Sequence, residues 1–359
     1  MLFPYTYVPH QMEKMQEFID FIFHEVWCKA PRSGEFRIEL FDAQPELKDI
    51  VKNFHFADTK GGDFFNSHIE RIYQLFSVLS QGQVRQLKCW YLGNNDVEKV
   101  CRKDTNATLV RYDEIDTLYP ELSQQLASFF KGLYSQSLLG LAVLKEKIGN
   151  IEDHYQAFVD VNTEGKCPFC GLTDLFGPYQ RKREAYDHYL PKSLYPFNSI
   201  NFKNLVPACY KCNSSYKSSK DPFHSVKDPM GGSQRRKVFY PYADSIHHIE
   251  LSVSLKHADI KKMGPEDIEL HFGPESCQEE IDTWRDVYGI DDRYRDKLLA
   301  ENDGKYWLTQ VLDEWNEDDR APSDYMKTLS RHTARKPFAE SNFLKKPFLE
   351  ACRAAGILD

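Results

Sequence analysis

The stretch REAYDHYLPKS, residues 183–193, sets Asp187 and His188 side by side in an aromatic run that stops at Pro191. CPFC lies behind it at 167–170 and CYKC ahead of it at 209–212. An acid beside an imidazole means little alone, so the surroundings have to decide. Two CxxC pairs are the usual way to offer four thiolates to one tetrahedral zinc, because each two-residue gap lets both sulfurs point into one site. Gly171, just after the first pair, would give the knuckle its positive φ at little steric cost. The 38 residues from Gly171 to Ala208 exceed the gap of a compact zinc ribbon. A structural zinc on Cys167, Cys170, Cys209 and Cys212 would therefore close the base of an inserted loop. The other five cysteines are scattered and read as buried or free thiols.

The whole chain of 359 residues carries a formal charge of −8, which by itself argues against a nucleic-acid partner. The distribution changes that. Residues 167–240 hold twelve Lys and Arg against five Asp and Glu, a local +7 that leaves −15 elsewhere. One basic module in an acidic protein is what a polyanion-binding segment requires. No run approaches the roughly 18 apolar residues of a membrane span. The first residues lack a basic stretch followed by an apolar one, so no secretory signal is read and a cytoplasmic location is expected. Cysteines in that setting do not suggest a disulfide framework.

Residues 1–154 are expected to form a mostly helical domain. Met12, Met15, Phe18, Ile19, Ile22 and Phe23 recur at helical spacing, as do Ile69, Ile72, Leu75, Phe76 and Leu79. The segment 120–148 reads as two helices or one interrupted near Gly132, and FRIELF (36–41) as a short strand. Residues 155–245 lose the helical period and form the candidate functional module. In 246–359, HIELSVSLKH and DIELHF alternate as paired strands, and helices then return. The expected class is α+β: a small zinc-stabilised ββα-metal module between helical flanks.

The ordered set DHYLPKS, NLVPAC and CN, framed by the CxxC pairs, resembles the HNH, or His-Me finger, endonucleases. The likeness covers about 55 residues and looks most like bacterial nucleases of antiphage defence, including the HNH partner of ATPase–nuclease pairs such as Septu. It implies hydrolysis of DNA phosphodiester bonds, with RNA left open as substrate, under the control of a protein partner such as an ATPase. His188 would be the general base, since an imidazole's ordinary pKa suits neutral pH. Asp187 and Asn213 would hold a catalytic Mg²⁺ or Mn²⁺ through oxygen, and Asn204 would brace the loop. A distortion of the strand is required to bring Asp187 and His188 together, since neighbours on a strand face opposite ways. Lys192, Lys203, Lys211, Lys217 and Lys220 would meet phosphates. One departure stands out: the family's CNxxK pattern places Lys where this chain has Tyr216, with Lys217 one residue later. His224 reads as a surface histidine, and QRRK (234–237) as a further DNA-contact candidate. The alternative is a zinc-stabilised nucleic-acid-binding or assembly protein that does not cleave.

Overall fold

The computed structural model describes every residue except Asp58, 226–232, Ile246 and Asp359; Lys227 and Asp228 of the basic segment lie outside the described residues. The chain is α+β and mostly helical, with two small sheets. Among the described residues, ten α-helices precede residue 155: α1 (Lys14–Phe21), α2 (Ala30–Ser33), α3 (Pro45–Phe56), α4 (Lys60–Ser77), α5 (Gln81–Asn95), α6 (Val97–Cys101), α7 (Tyr112–Leu118), α8 (Pro120–Leu133), α9 (Gln136–Leu139) and α10 (Ala142–Ile148); an eleventh, α11 (Ile151–Val161), carries the helical period into the start of the module. The module contributes β1 (Ala185–His188) and β2 (Leu205–Ala208). After it come β3 (Glu250–Leu255), β4 (Ile268–Gly273), α12 (Gln278–Tyr288), α13 (Ile290–Leu299), α14 (Gly304–Asp318), α15 (Pro322–Arg335) and α16 (Asn342–Ala354). None is long and apolar enough to cross a membrane among the described residues.

Helix boundaries follow ordinary capping chemistry. The Thr59 hydroxyl accepts from Gly62 N–H to open α4, and Ser80 and Gln83 form a capping box at the start of α5. The apolar stripes point inward: Phe65, Ile69, Ile72, Tyr73 and Phe76 of α4 are buried, as are Leu122, Leu126, Phe129, Phe130 and Leu133 of α8. The interruption expected near Gly132 falls just later, where α8 ends at Leu133 and α9 begins at Gln136. FRIELF is not a strand. Ile38–Phe41 forms a 3₁₀ turn instead, because no neighbouring strand among the described residues is there to pair with it. The two strands expected after the module do pair, antiparallel, from Glu250↔Gly273 to Leu255↔Ile268.

Helical flanks and module share one continuous core. Hydrogen bonds also join the parts directly. Leu2 N–H donates to the Pro168 carbonyl (2.8 Å) and Tyr112 N–H to the Leu194 carbonyl (3.0 Å). Trp284 of α12 donates its indole N–H to the Phe169 carbonyl (2.7 Å), and Tyr294 of α13 its hydroxyl to the Cys170 carbonyl (3.0 Å). The knuckle carrying the first cysteine pair is thus gripped from both ends of the chain.

Candidate metal centre and the neighbouring hairpin

The sulfurs of Cys167, Cys170, Cys209 and Cys212 lie within 4.8 Å of one another and all four residues are buried. A tetrahedral zinc with bonds of about 2.3 Å asks for sulfurs about 3.8 Å apart, so this pocket can hold such an ion. Gly171 has φ +66°, and a Cβ there would come within 2.5 Å of Leu2, so only glycine turns the chain here. Cys212 N–H donates to Cys209 Sγ (3.5 Å), and the Arg293 guanidinium donates to Cys212 Sγ (3.2 Å). Hydrogen bonding with Cys167 lowers Cys209 to about 7 and holds Cys170 lower still, while burial drives Cys167 up. Cys212, the sulfur that Arg293 meets, is raised as well, so it is the buried cation beside it that suits a thiolate-rich metal site, whose ligands carry net negative charge. Arg293 also lies 4.6 Å over the Tyr216 ring. No motif pointed to Arg293, which stands 81 residues from its sulfur.

The hairpin beyond this pocket pairs Ala185↔Ala208, Tyr186↔Pro207, Asp187↔Val206 and His188↔Leu205. That ladder is unbroken, so the distortion expected at Asp187–His188 is absent; the chain bends only afterwards, at Tyr189 and Leu190. The two side chains accordingly meet different partners. Asp187, 4% exposed, accepts from Lys217 Nζ through Oδ1 at 2.8 Å, while its Oδ2 is buried without a partner among the described residues. Burial pushes the Asp187 carboxyl above its ordinary range and Lys217 offsets part of that. Lys217 also donates to the His188 carbonyl at 2.8 Å.

Lys217 was expected on phosphates; it is 1% exposed and committed to the strand instead. The reason is local. Residues Lys211–Lys217 form a π-helical turn closed by Ser218 N–H to the Asn213 carbonyl, an i→i+5 bond of 2.8 Å. A π turn takes up one more residue than an α turn. It therefore carries Lys217 to the face that a lysine one residue earlier would occupy on an α-helix. Asn213 lies in this turn, half-buried; its backbone N–H donates to the Cys209 carbonyl (3.0 Å), and no described residue hydrogen-bonds its side-chain amide.

His188 Nε2 lies 2.9 Å from the Ser199 carbonyl. A carbonyl only accepts, so Nε2 carries the proton and Nδ1 keeps the lone pair. The Tyr134 ring stands edge-on to the imidazole with centroids 4.8 Å apart. Lys192 Nζ lies 5.4 Å over that tyrosine and donates to the carbonyls of Lys131 (3.3 Å) and Tyr134 (3.5 Å), which ties the end of α8 to the hairpin. Burial, then the charges of Lys192 and Lys217, lower His188 to about 3, so the ring is neutral at pH 7. Asn204 is fully buried; its Oδ1 accepts from Leu190 N–H (2.7 Å) and its Nδ2 donates to the carbonyls of Leu190 and Asn198 (both 3.2 Å). It spans the loop without hydrogen-bonding the imidazole.

Other basic residues divide. Lys203, Lys211 and Lys220 are exposed, and Lys220 reaches the Asp286 carbonyl at 3.3 Å. The QRRK run does not present its arginines: Arg235 donates to the Val100 carbonyl (3.1 Å), and Arg236 to Asp286 (2.6 Å) and the Asp221 carbonyl (2.9 Å). His224 is half-buried, not a surface residue, with Nδ1 2.9 Å from the Tyr195 hydroxyl and 3.3 Å from Asp221. Comparison of this chain with protein-family models, with curated proteins and with solved structures finds no match.

Proposed function

We propose that the chain is a metal-dependent endonuclease of the HNH type that hydrolyses DNA phosphodiester bonds, with His188 as the general base. The observation that carries this reading is the tautomer of His188. With Nε2–H spent on Ser199, Nδ1 is a neutral acceptor free to take a proton from water. The surrounding cations favour an anionic phosphodiester there, and its charge would raise the imidazole pKa toward a working value. Asp187, through its unpartnered Oδ2, and Asn213, through its amide oxygen, would hold Mg²⁺ or Mn²⁺. When bound, the ion neutralises charge on the scissile phosphate and stabilises the leaving oxygen. Structural zinc in the cysteine pocket would fix the turn that carries Asn213, since Cys212 precedes it directly.

By the same resemblance the protein would serve bacterial antiphage defence, its helical flanks answering to a controlling partner such as an ATPase. Purified chain that cuts DNA as fast alone as with its neighbouring gene products would remove that control. A second reading, a zinc-stabilised nucleic-acid-binding or assembly protein without cleavage, is favoured by the unbroken strand at Asp187 and His188 and by the Asp187–Lys217 ion pair, which already gives that carboxylate a cation from this chain.

A plasmid-cleavage assay with Mg²⁺ or Mn²⁺ separates the two. Wild type should nick or cut, and His188→Ala should lose about 10²–10⁴-fold in rate while keeping its zinc and its unfolding profile. Equal cleavage by both proteins would exclude His188 as the base, and no cleavage by either would favour the binding protein.

A further inference from the structure

Far along α5 from the hairpin lies a cavity of about 400 Å³ lined by Lys29, Arg32, Arg85 and Lys88, with Cys28, Pro31 and Val84 among its apolar contributors. Four cations and no carboxylate line it. Lys29 pairs with Glu25, but Arg32, Arg85 and Lys88 form no ion pair among the described residues. Arg85 and Lys88 stand three apart on α5, so they share a face. Arg32 approaches from α2. Gln81, the first residue of α5, opens on the same space, where the helix dipole adds positive potential.

Lys29, Arg32 and Arg85 are exposed and Lys88 is half-buried, so water screens their mutual repulsion, and an anion that meets several of them at once gains from each. We propose that this cavity binds a small phosphate ester of mononucleotide size. The cations would take the phosphate, and Pro31 and Val84 would cover the less polar part of the ligand. The volume falls in the range of about 300–1,000 Å³ typical of small-molecule sites. A polyanion is disfavoured because residues 1–154 hold 17 Lys and Arg against 22 Asp and Glu, so the basic lining is an island in acidic surroundings.

The opposite end of α5 gives the site a consequence for the nuclease proposed above, and this part rests on that reading. Asn94 donates to the Pro196 carbonyl (3.0 Å), Asn198 donates to the Asn94 carbonyl (3.2 Å), and Asn201 donates to the Asn95 carbonyl (3.1 Å). The loop so clamped carries Ser199, whose carbonyl holds His188. A ligand that shifts α5 would therefore be felt at the imidazole.

Binding is tested first, independently of cleavage, by calorimetric titration of the full chain with AMP, adenosine and inorganic phosphate. AMP should bind at least about tenfold more tightly than either comparator. The charge-reversed variant R85E/K88E, with an unchanged unfolding profile, should weaken AMP by at least about tenfold. If that variant fails to fold, Arg32→Ala on the facing helix carries the same comparison. Equal AMP affinity in wild type and a folded variant overturns the site, as does no binding at all. Phosphate matching AMP overturns the nucleotide-sized occupant, and binding only to a DNA oligonucleotide with a steep salt dependence overturns the small ligand. If AMP binds through these residues but leaves cleavage unchanged, the coupling through α5 fails and the site stands. If no cleavage exists to modulate, the nuclease reading fails and the binding result is untouched.

Discussion

The cysteine pocket and the Asp187–His188 strand end belong to one small module, yet they are enclosed in opposite ways. The four sulfurs are sealed by residues from the N-terminus, α12 and α13, and even the backbone carbonyls of the knuckle are taken up by Trp284 and Tyr294. His188 is held through one ring nitrogen and leaves the other open, while Asp187 keeps one oxygen unpartnered. Enclosure suits a group whose work is to hold the fold. An incomplete hydrogen-bond set leaves polar capacity for a ligand to take up.

The largest way to break this contrast is Cys209→Ser. A structural zinc in such a site contributes on the order of 10 kcal/mol to folding, so loss of one thiolate should remove most of the bound zinc and unfold the module. Zinc content together with urea unfolding reads this directly; a zinc-free variant as stable as wild type would make the pocket dispensable. Lys217→Met comes next, because it strands the buried Asp187 carboxylate. It should cost about 3–5 kcal/mol by urea unfolding, and Asp187→Asn in the same background should recover much of the loss. An unchanged midpoint in Lys217→Met would mean that Asp187 is neutral in the folded chain.

The third effect concerns the back of the same strand, where His154, 3% exposed, bonds the Tyr186 hydroxyl beside the His10 ring. Burial, then His10, lowers His154 to about 4, so it stays neutral in the folded chain while the unfolded chain protonates near its ordinary value. Its contribution is complete above about pH 6.5 and is lost as the pH falls toward 4, up to about 3 kcal/mol. His154→Phe should reduce the slope of the stability profile across that window, the remainder coming from His188, which is lowered in the same sense; identical slopes would place the titration elsewhere. The smallest effect is Arg293→Gln, which should weaken zinc about 10–100-fold in a chelator competition while leaving the fold in place.

The positions of the four cysteines were legible in the sequence because CxxC spacing constrains a turn locally, and Gly171 adopts the positive φ that its place after CPFC suggested. Strands β3 and β4 were legible from alternation. FRIELF was not, since strand-like composition cannot supply a pairing partner. Lys217 was misplaced because numbering along an α-helix does not anticipate a π turn, whose extra residue rotates every later side chain. The family likeness supplied candidate roles for Asp187, His188, Asn204 and Asn213; the structure adds separate partners for the first three.

Sequence alone thus determined the local chemistry of this protein: which residue types stand close enough along the chain to share a turn, and where the positive charge lies. Tertiary structure decided which of those groups remain open. Tyr134, Ser199, Lys217 and Arg293 act on the site across 11 to 81 residues of chain. Contacts of that kind arise when helices bury their apolar faces in a common core, and no local pattern encodes them.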